Sequence, residues 1–152
     1  TYQDGVEEEY YENGKLKSKV ILINGKVNGF MESYYENGKL KSRVPFEDDE
    51  PLGIAEDYYE NGNLEAKVPY FEGVINGTSE KFYNNGNLKL KADFKNNLIN
   101  GVVEEYYESG KLKSKILYNK GVFEKILESY NELGEKEKKL DLDSLLNRNN
   151  KK

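Results

Sequence analysis

The stretch that decides the fold is YYENGKLKSK at residues 10–19, which returns as YYENGKLKSR at 34–43 and as YYESGKLKSK at 106–115. More divergent copies lie between them, so the chain has a period of 24 residues. The six blocks begin at Gly5, Gly29, Gly53, Gly77, Gly101 and Lys125. Such a period is typical of arrays in which each unit stacks on its neighbours. Positions 1 to 24 of each block are numbered from these residues.

Glycine and tyrosine occupy fixed positions of the block. All fourteen glycines stand at positions 1, 10 or 21, and ten of the thirteen tyrosines stand at positions 6 or 7. Glycine at a constant position indicates a backbone conformation that other residues adopt poorly. We call positions 6 and 7 the sixth and seventh columns.

Each block predicts one β-hairpin, because two runs rich in aromatic and β-branched residues flank Asn-Gly. A two-residue type I′ turn at Asn13-Gly14 would pair Glu12 with Lys15, Tyr11 with Leu16 and Glu8 with Lys19. The charges favour this register, because position 4 is glutamate and position 15 is basic in all six blocks. A three-residue loop is the less favoured alternative, since it would set the glutamates against position 14.

The predicted fold is all-β: an elongated single antiparallel sheet of about six tandem hairpins with about twelve strands. One face would carry Tyr11, Leu16, Val20 and Leu22 with their equivalents and would be the buried one. The other face would be mixed and solvated, with Tyr10 beside Lys17. A content of 34% charged residues also predicts that the core is thin.

The period weakens near the C-terminus, where the sixth block begins with lysine instead of glycine. We expect the hairpin array to span residues 1–142 and a short helical cap with a loose tail to span residues 143–152. The expected helix follows from Leu142, Leu145 and Leu146, which have helical spacing.

Composition excludes several functions. The chain has no cysteine and no histidine, which removes the commonest metal ligands and general bases. Its formal net charge of −5 opposes binding to nucleic acid. No nucleotide-binding glycine motif and no long apolar run occurs. We therefore expect no enzymatic activity, no cofactor, no metal, no nucleic-acid partner and no transmembrane segment. The acidic run at 47–50 is interpreted as a solvated connection rather than a Ca²⁺ site, because it lacks the ligand spacing of a known loop.

The segments LINGKVNG at 22–29, YFEGVING at 70–77 and YNKGVFEK at 118–125 resemble the loop of MORN repeats. With YYENGKLKSK added, the unit is similar to the bacterial MORN variant. That resemblance implies an elongated curved sheet of antiparallel hairpins. It also implies a role as a scaffold, as a membrane-proximal binder, or as an immunity or antitoxin-like partner of a secreted toxin. The phosphatidylinositol phosphate kinase name that can accompany these repeats would be a repeat-derived label without catalytic residues.

The aromatic columns are the candidate partner-binding residues. Tyrosine offers a large contact area at low entropic cost, so aromatic rows on a rigid sheet suit a protein interface. The sixth-column candidates are Tyr10, Tyr34, Tyr58, Phe82 and Tyr106, and Tyr130 continues this column. The seventh-column candidates are Tyr11, Tyr35, Tyr59, Tyr83 and Tyr107, for which packing is the favoured interpretation.

The expected function is a non-catalytic repeat scaffold that binds a protein partner, of immunity or antitoxin type. The alternative is a membrane-surface module that binds anionic phospholipid headgroups through its lysine columns. Those columns are Lys15, Lys17, Lys19, Lys39, Lys41, Arg43, Lys111, Lys113 and Lys115. Interleaved glutamates favour a neutralised lattice over a lipid site. The start at Thr1 rather than Met is consistent with export of a bacterial protein to the periplasm or cell envelope, with the cytoplasm as the alternative.

Overall fold

The computed structural model of the protein describes residues 4–138, which form one antiparallel β-sheet with fifteen strands. The strands are β1 Gly5–Tyr10, β2 Leu16–Ile23, β3 Lys26–Val27, β4 Gly29–Tyr34, β5 Leu40–Glu47, β6 Glu50–Pro51, β7 Gly53–Tyr58, β8 Leu64–Phe71, β9 Val74–Ile75, β10 Gly77–Phe82, β11 Leu88–Lys95, β12 Leu98–Ile99, β13 Gly101–Tyr106, β14 Leu112–Asn119 and β15 Val122–Ser129.

The sheet is open, and its strands follow chain order. Eleven long strands run in the order β1-β2-β4-β5-β7-β8-β10-β11-β13-β14-β15, while β3, β6, β9 and β12 pair only with the preceding long strand. At about 4.8 Å between strands, the row of eleven spans about 48 Å. The predicted all-β sheet of tandem hairpins is confirmed. The predicted helical cap over residues 143–152 lies outside the described residues.

The turn after the first strand of each block differs from the predicted one. Gly14 N–H donates to the carbonyl of Tyr11 at 2.9 Å, and Tyr11 N–H donates to the carbonyl of Lys15 at 2.8 Å. Only Gly14 has positive φ, whereas a type I′ turn needs it at Asn13 too. The loop therefore has three residues, 12–14, built from a type I turn and a glycine bulge. The predicted two-residue turn is wrong, because the Asn13 side chain accepts from Lys15 N–H at 3.0 Å and stabilises the longer loop.

A second bulge restores the predicted charge register. Tyr10 pairs with Leu16, but Glu9 pairs with Ser18 and Glu8 with Lys19, so Lys17 is the extra residue of its strand. The predicted pairing of Glu8 with Lys19 is thus confirmed, whereas the predicted pairing of Tyr11 with Leu16 is wrong. The same shift occurs in the first five blocks.

Type I′ turns occur instead at the connection between one hairpin and the next. Asn24 and Gly25 both have positive φ, at 53° and 74°, and they join Ile23 to Lys26. The acidic connection of the second block has the same geometry, with φ of 48° at Asp48 and 70° at Asp49. Aspartate and asparagine tolerate this region better than most residues. The acidic run at 47–50 is therefore a sequence variant of the same turn.

These turns also attach each block to the preceding one. The Asp49 carboxylate accepts from Val27 N–H at 2.6 Å, and the Asn97 side chain accepts from Ile75 N–H at 2.8 Å. In the intervening block, Pro51 has no N–H to donate, and Gly73 opposite it has no side chain to accept. The side-chain bond is therefore made by Asp49 and Asn97, whereas Gly73 and Gly121 bond the preceding block only through their backbone N–H.

Within residues 4–138 the sheet has no second layer, so burial is slight. The buried residues are Ala66, Ser79, Ala92, Val103 and Ser114, and no large side chain among the described residues is fully buried. All five stand at positions 3, 14 or 16, which share one face because side chains alternate along a strand. This small-residue face carries Val20 as predicted, but the prediction for Leu16 is wrong, because Leu16 pairs with Tyr10 on the opposite face. Its buried contacts are those of small side chains rather than of tyrosine and leucine.

Candidate functional site

The opposite face, which we call the charged face, carries positions 2, 4 and 6 of the first strand and 15, 17 and 19 of the second. In the first block, Val6 pairs with Ile21, Glu8 with Lys19, and Tyr10 with Leu16. The two residues of a cross-strand pair lie on the same face of the sheet. Equivalent pairs of successive hairpins therefore line up as rows that cross the sheet. Positions 2 and 17 form a mostly apolar row, positions 4 and 15 a charged row, and positions 6 and 12 a row of aromatic rings and leucines.

The charged row alternates in sign across all eleven long strands. Lys19 pairs with Glu8 on one side and with Glu32 on the other, and the later blocks repeat this arrangement. The row consists of Glu8, Lys19, Glu32, Arg43, Glu56, Lys67, Glu80, Lys91, Glu104, Lys115 and Glu128. Among the described residues, only Lys115 and Glu104 approach within an ion-pair distance, 4.0 Å between Nζ and Oε1. The Arg43 guanidinium instead lies over the ring of Phe30, 3.6 Å from its centroid.

The sixth column is tied to this row by hydrogen bonds. The tyrosine hydroxyl donates to the glutamate two residues earlier, as from Tyr58 to Glu56 and from Tyr106 to Glu104, both at 2.6 Å. Tyr10, Tyr34 and Tyr130 make the same bond to Glu8, Glu32 and Glu128. Phe82 has no hydroxyl, so Glu80 lacks this donor. The rings are half-buried except Tyr10, which is 58% exposed.

The tyrosine–glutamate bond shifts the ionisation of the phenol. The hydrogen bond to Glu56 raises the pKa of Tyr58 to about 12, with burial as the second cause, and the bond to Glu104 does the same for Tyr106. A neighbouring carboxylate disfavours a second negative charge, and the bond itself requires the phenol proton. The neutral phenol is therefore the form that the folded sheet stabilises.

We expect the alkaline titration of tyrosinate absorbance to show late-titrating phenols that disappear on unfolding. Because the folded pKa of Tyr58 and Tyr106 lies above the unfolded value of about 10, their contribution to stability is complete below pH 10. It is lost as the pH rises through about 12. In Tyr58→Phe the late-titrating component should shrink. An unchanged late component in that variant would contradict the assignment.

The seventh column connects successive blocks. The Tyr11 hydroxyl donates to the backbone carbonyl of Tyr34 at 2.6 Å, and Tyr59 donates to the carbonyl of Phe82 at 2.8 Å. Tyr35, Tyr83 and Tyr107 make the same bond to Tyr58, Tyr106 and Tyr130. Each hydroxyl of this column is therefore used within the sheet.

The position 13 lysines lie over the rings of the seventh column rather than beside the sixth. Lys17 Nζ is 5.9 Å from the centroid of the Tyr11 ring. The prediction that Lys17 lies beside Tyr10 is therefore wrong. Lys41, Lys89 and Lys113 lie over Tyr35, Tyr83 and Tyr107 in the same way. The ring attracts the ammonium group electrostatically. The basic residues of position 15 thus belong to the alternating row, and the lysines of position 13 make ring contacts.

The clefts in the described structure are shallow and lie at the edge formed by the type I′ turns. One has a volume of about 310 Å³ and is lined by Glu47, Asp48, Glu50, Leu52, Phe71 and Glu72. Among residues 4–138, no three carboxylates converge in a way that could hold a metal ion. Within the same residues, no helix has the length and apolar character needed to cross a bilayer.

Sequence reasoning paired each glutamate with the basic residue of its own hairpin and missed the second pairing, with the preceding hairpin. The second pairing could have been predicted, because position 4 is always glutamate and position 15 is always basic. A strand can therefore make the same contact with the strands on both of its sides. It also missed the apolar row beside the charges. That row could have been found by following positions 2 and 17 from block to block.

A single-layer antiparallel sheet made of tandem hairpins, with interactions repeated in every unit, defines a repeat protein of the binding or scaffold class. Five segments, residues 3–27, 28–48, 51–72, 75–96 and 99–120, match the family described as MORN repeat variant. They cover well over half of the chain, and the chain belongs to this family. MORN repeats are generally non-catalytic binding repeats. No curated protein sequence matches the chain.

Proposed function

We propose that this protein is a non-catalytic scaffold whose charged face binds a protein partner, in an immunity or antitoxin type of role in a bacterium. The binding surface is the sixth column with the charged row beside it. The immunity role derives from the resemblance to bacterial MORN arrays. The surface derives from the geometry of the face.

The observation that supports this proposal is the repeated tyrosine–glutamate pair. Each pair holds a ring in one orientation, since the hydroxyl is bonded and the glutamate is fixed in a strand. Rigid aromatic groups lose little entropy on binding, which is why interfaces are enriched in them. The seventh-column hydroxyls are bonded within the sheet, so that column would contribute ring surface only.

The test is an affinity capture from the native organism with the purified chain as bait. In the variant Phe82→Ser, Tyr106→Ser, Tyr130→Ser, loss of three rings should remove the captured partner, because ring area supplies most of the contact energy. The matched variant with phenylalanine at the same positions should retain most of it. Circular dichroism should show that both variants keep the sheet.

Equal capture by the wild type and the serine variant would contradict this surface. The anionic lipid alternative has its own arm, flotation with phosphatidylserine vesicles at low and high salt. Salt-sensitive flotation of the chain without any protein partner would favour the membrane-surface function instead.

A further inference from the structure

Exposed apolar groups in the first three blocks lie almost entirely on the charged face. Residues 4–71 contain seven large hydrophobic side chains that are exposed. Six of them are on the charged face: Val6, Tyr10, Ile23, Phe30, Ile54 and Phe71. The seventh, Met31, is on the small-residue face. Apolar groups gathered on one side of a polar sheet mark an interaction surface.

Three of these groups, Val6, Phe30 and Ile54, belong to an apolar row that is interrupted at block four. Positions 2 and 17 supply Val6, Ile21, Phe30, Pro45, Ile54 and Pro69 across the first six long strands. The next pair is polar, because the Thr78 hydroxyl donates to the Asp93 carboxylate at 2.6 Å. The apolar row therefore covers blocks one to three, is interrupted at block four and resumes with Val102 and Leu117 in block five.

We propose that this half of the charged face binds the same half of a second copy of the chain, across a twofold axis that is parallel to the strands and passes between β4 and β5. Such an axis reverses the strand order of the second copy while keeping each row over its equivalent. The first strand then faces the sixth, the second faces the fifth, and the third faces the fourth. This inference goes beyond the proposed function, since blocks four to six remain free for a different partner.

The charges of the row are complementary under this operation. Glu8 faces Lys67 of the second copy, Lys19 faces Glu56, and Glu32 faces Arg43, with each contact formed twice. Any axis between two adjacent strands would match the alternating signs. The apolar row selects one of them, because only an axis between β4 and β5 places the six members in blocks one to three over one another.

The neighbouring rows agree with the same axis. In the apolar row Val6 faces Pro69 of the second copy, Ile21 faces Ile54, and Phe30 faces Pro45. In the sixth-column row each aromatic ring faces a leucine, as Tyr34 does with Leu40 of the second copy. Two sheets that pack face to face keep their strands within about 30° of each other, which this arrangement permits.

A second copy also fits the spacing of the row better than a helix does. Its strands repeat at about 4.8 Å, as the row does, so every charge meets a partner. A helix lying across the strands repeats at about 5.4 Å per turn and drifts out of register over six strands. The contact measures about 24 by 20 Å, or about 500 Å² per copy, which is near the lower limit for a specific interface. We expect dimerisation with a micromolar Kd.

The first measurement is sedimentation equilibrium of the full chain over a hundredfold range of concentration. The wild type should dissociate reversibly. Lys19→Glu and Glu56→Lys should each weaken the dimer more than about tenfold, because each creates two like-charge contacts across the axis. An equimolar mixture of the two variants should dimerise again, since the carboxylate introduced in one variant would face the ammonium group introduced in the other.

Matched controls separate the interface from the stability of the sheet. Lys91→Glu and Glu104→Lys reverse charges in the same row, and Glu104 accepts a tyrosine hydroxyl as Glu56 does, although it also pairs with Lys115. They should leave the dimer unchanged. Ile54→Lys at a 55% exposed position should abolish it without touching the charged row.

A wild type that stays monomeric at all concentrations would overturn the proposal, and so would controls that weaken association as much as Lys19→Glu. A mixture that fails to associate would also overturn it. These measurements use the purified chain alone. Their failure is therefore distinguishable from failure of the proposed function, which is measured by capture of a different protein.

Discussion

Replacement of Gly77 by alanine is expected to lower the free energy of unfolding by about 3 kcal/mol. Gly77 has a φ of 120°, which L-residues rarely adopt. An added Cβ would also lie 3.1 Å from Cγ of Pro69. The backbone strain at this φ and the close contact with Pro69 therefore both destabilise the variant. The free energy of unfolding is measured by a urea titration that is monitored by circular dichroism. Since each block contacts only its neighbours, both adjacent hairpins should lose stability with the fourth.

The chain contains its own control for this prediction. Gly5 occupies the same position of the first block, but its φ is not in the left-handed region, and an added Cβ would meet nothing within 4 Å. Gly5→Ala should therefore change the free energy of unfolding by less than about 0.5 kcal/mol. If Gly5→Ala and Gly77→Ala were equally destabilising, the conformational explanation would be wrong.

The substitution Tyr59→Phe removes a hydroxyl and is expected to lower the free energy of unfolding by about 1 to 2 kcal/mol. The reason is that the backbone carbonyl of Phe82 loses the donor that links two blocks. Removal of the whole side chain in Tyr59→Ala should cost about 3 kcal/mol, since the half-buried ring is among the largest apolar groups of a thin sheet. The measurement is again the urea midpoint, with the slope of the transition used to detect partial unfolding.

Tyr58→Phe is the matched control, because it removes a hydroxyl from the adjacent residue of the same hairpin. That hydroxyl bonds a partly exposed glutamate of its own strand rather than the next block. The fourth block already carries Phe82 at the equivalent position. Tyr58→Phe should therefore lower the free energy of unfolding by less than about 0.5 kcal/mol. A larger loss for Tyr58→Phe than for Tyr59→Phe would show that the sixth column, and not the seventh, connects the blocks.

Part of the candidate site was predictable because one period governs both local and cross-strand contacts. The pairing of Glu8 with Lys19 followed from constant charges at positions 4 and 15, and it holds in the structure. The turn at Asn13-Gly14 did not follow, because the same dipeptide suits two loop lengths. The side chain of Asn13 and the extra residue Lys17 decide between them, and their effects on the register cancel.

The sequence by itself determined the unit and its repetition, since glycine, tyrosine and charge at fixed positions require the same backbone and the same pairing in every block. Tertiary structure alone decided what those units build together. Hydrogen bonding between consecutive hairpins places Lys19 between two glutamates and turns separate pairs into one alternating row. It also brings Val6, Phe30 and Ile54, each from a different block, onto one face. The physical reason is that a row across a sheet forms only when neighbouring strands align, and pairing between blocks sets that alignment.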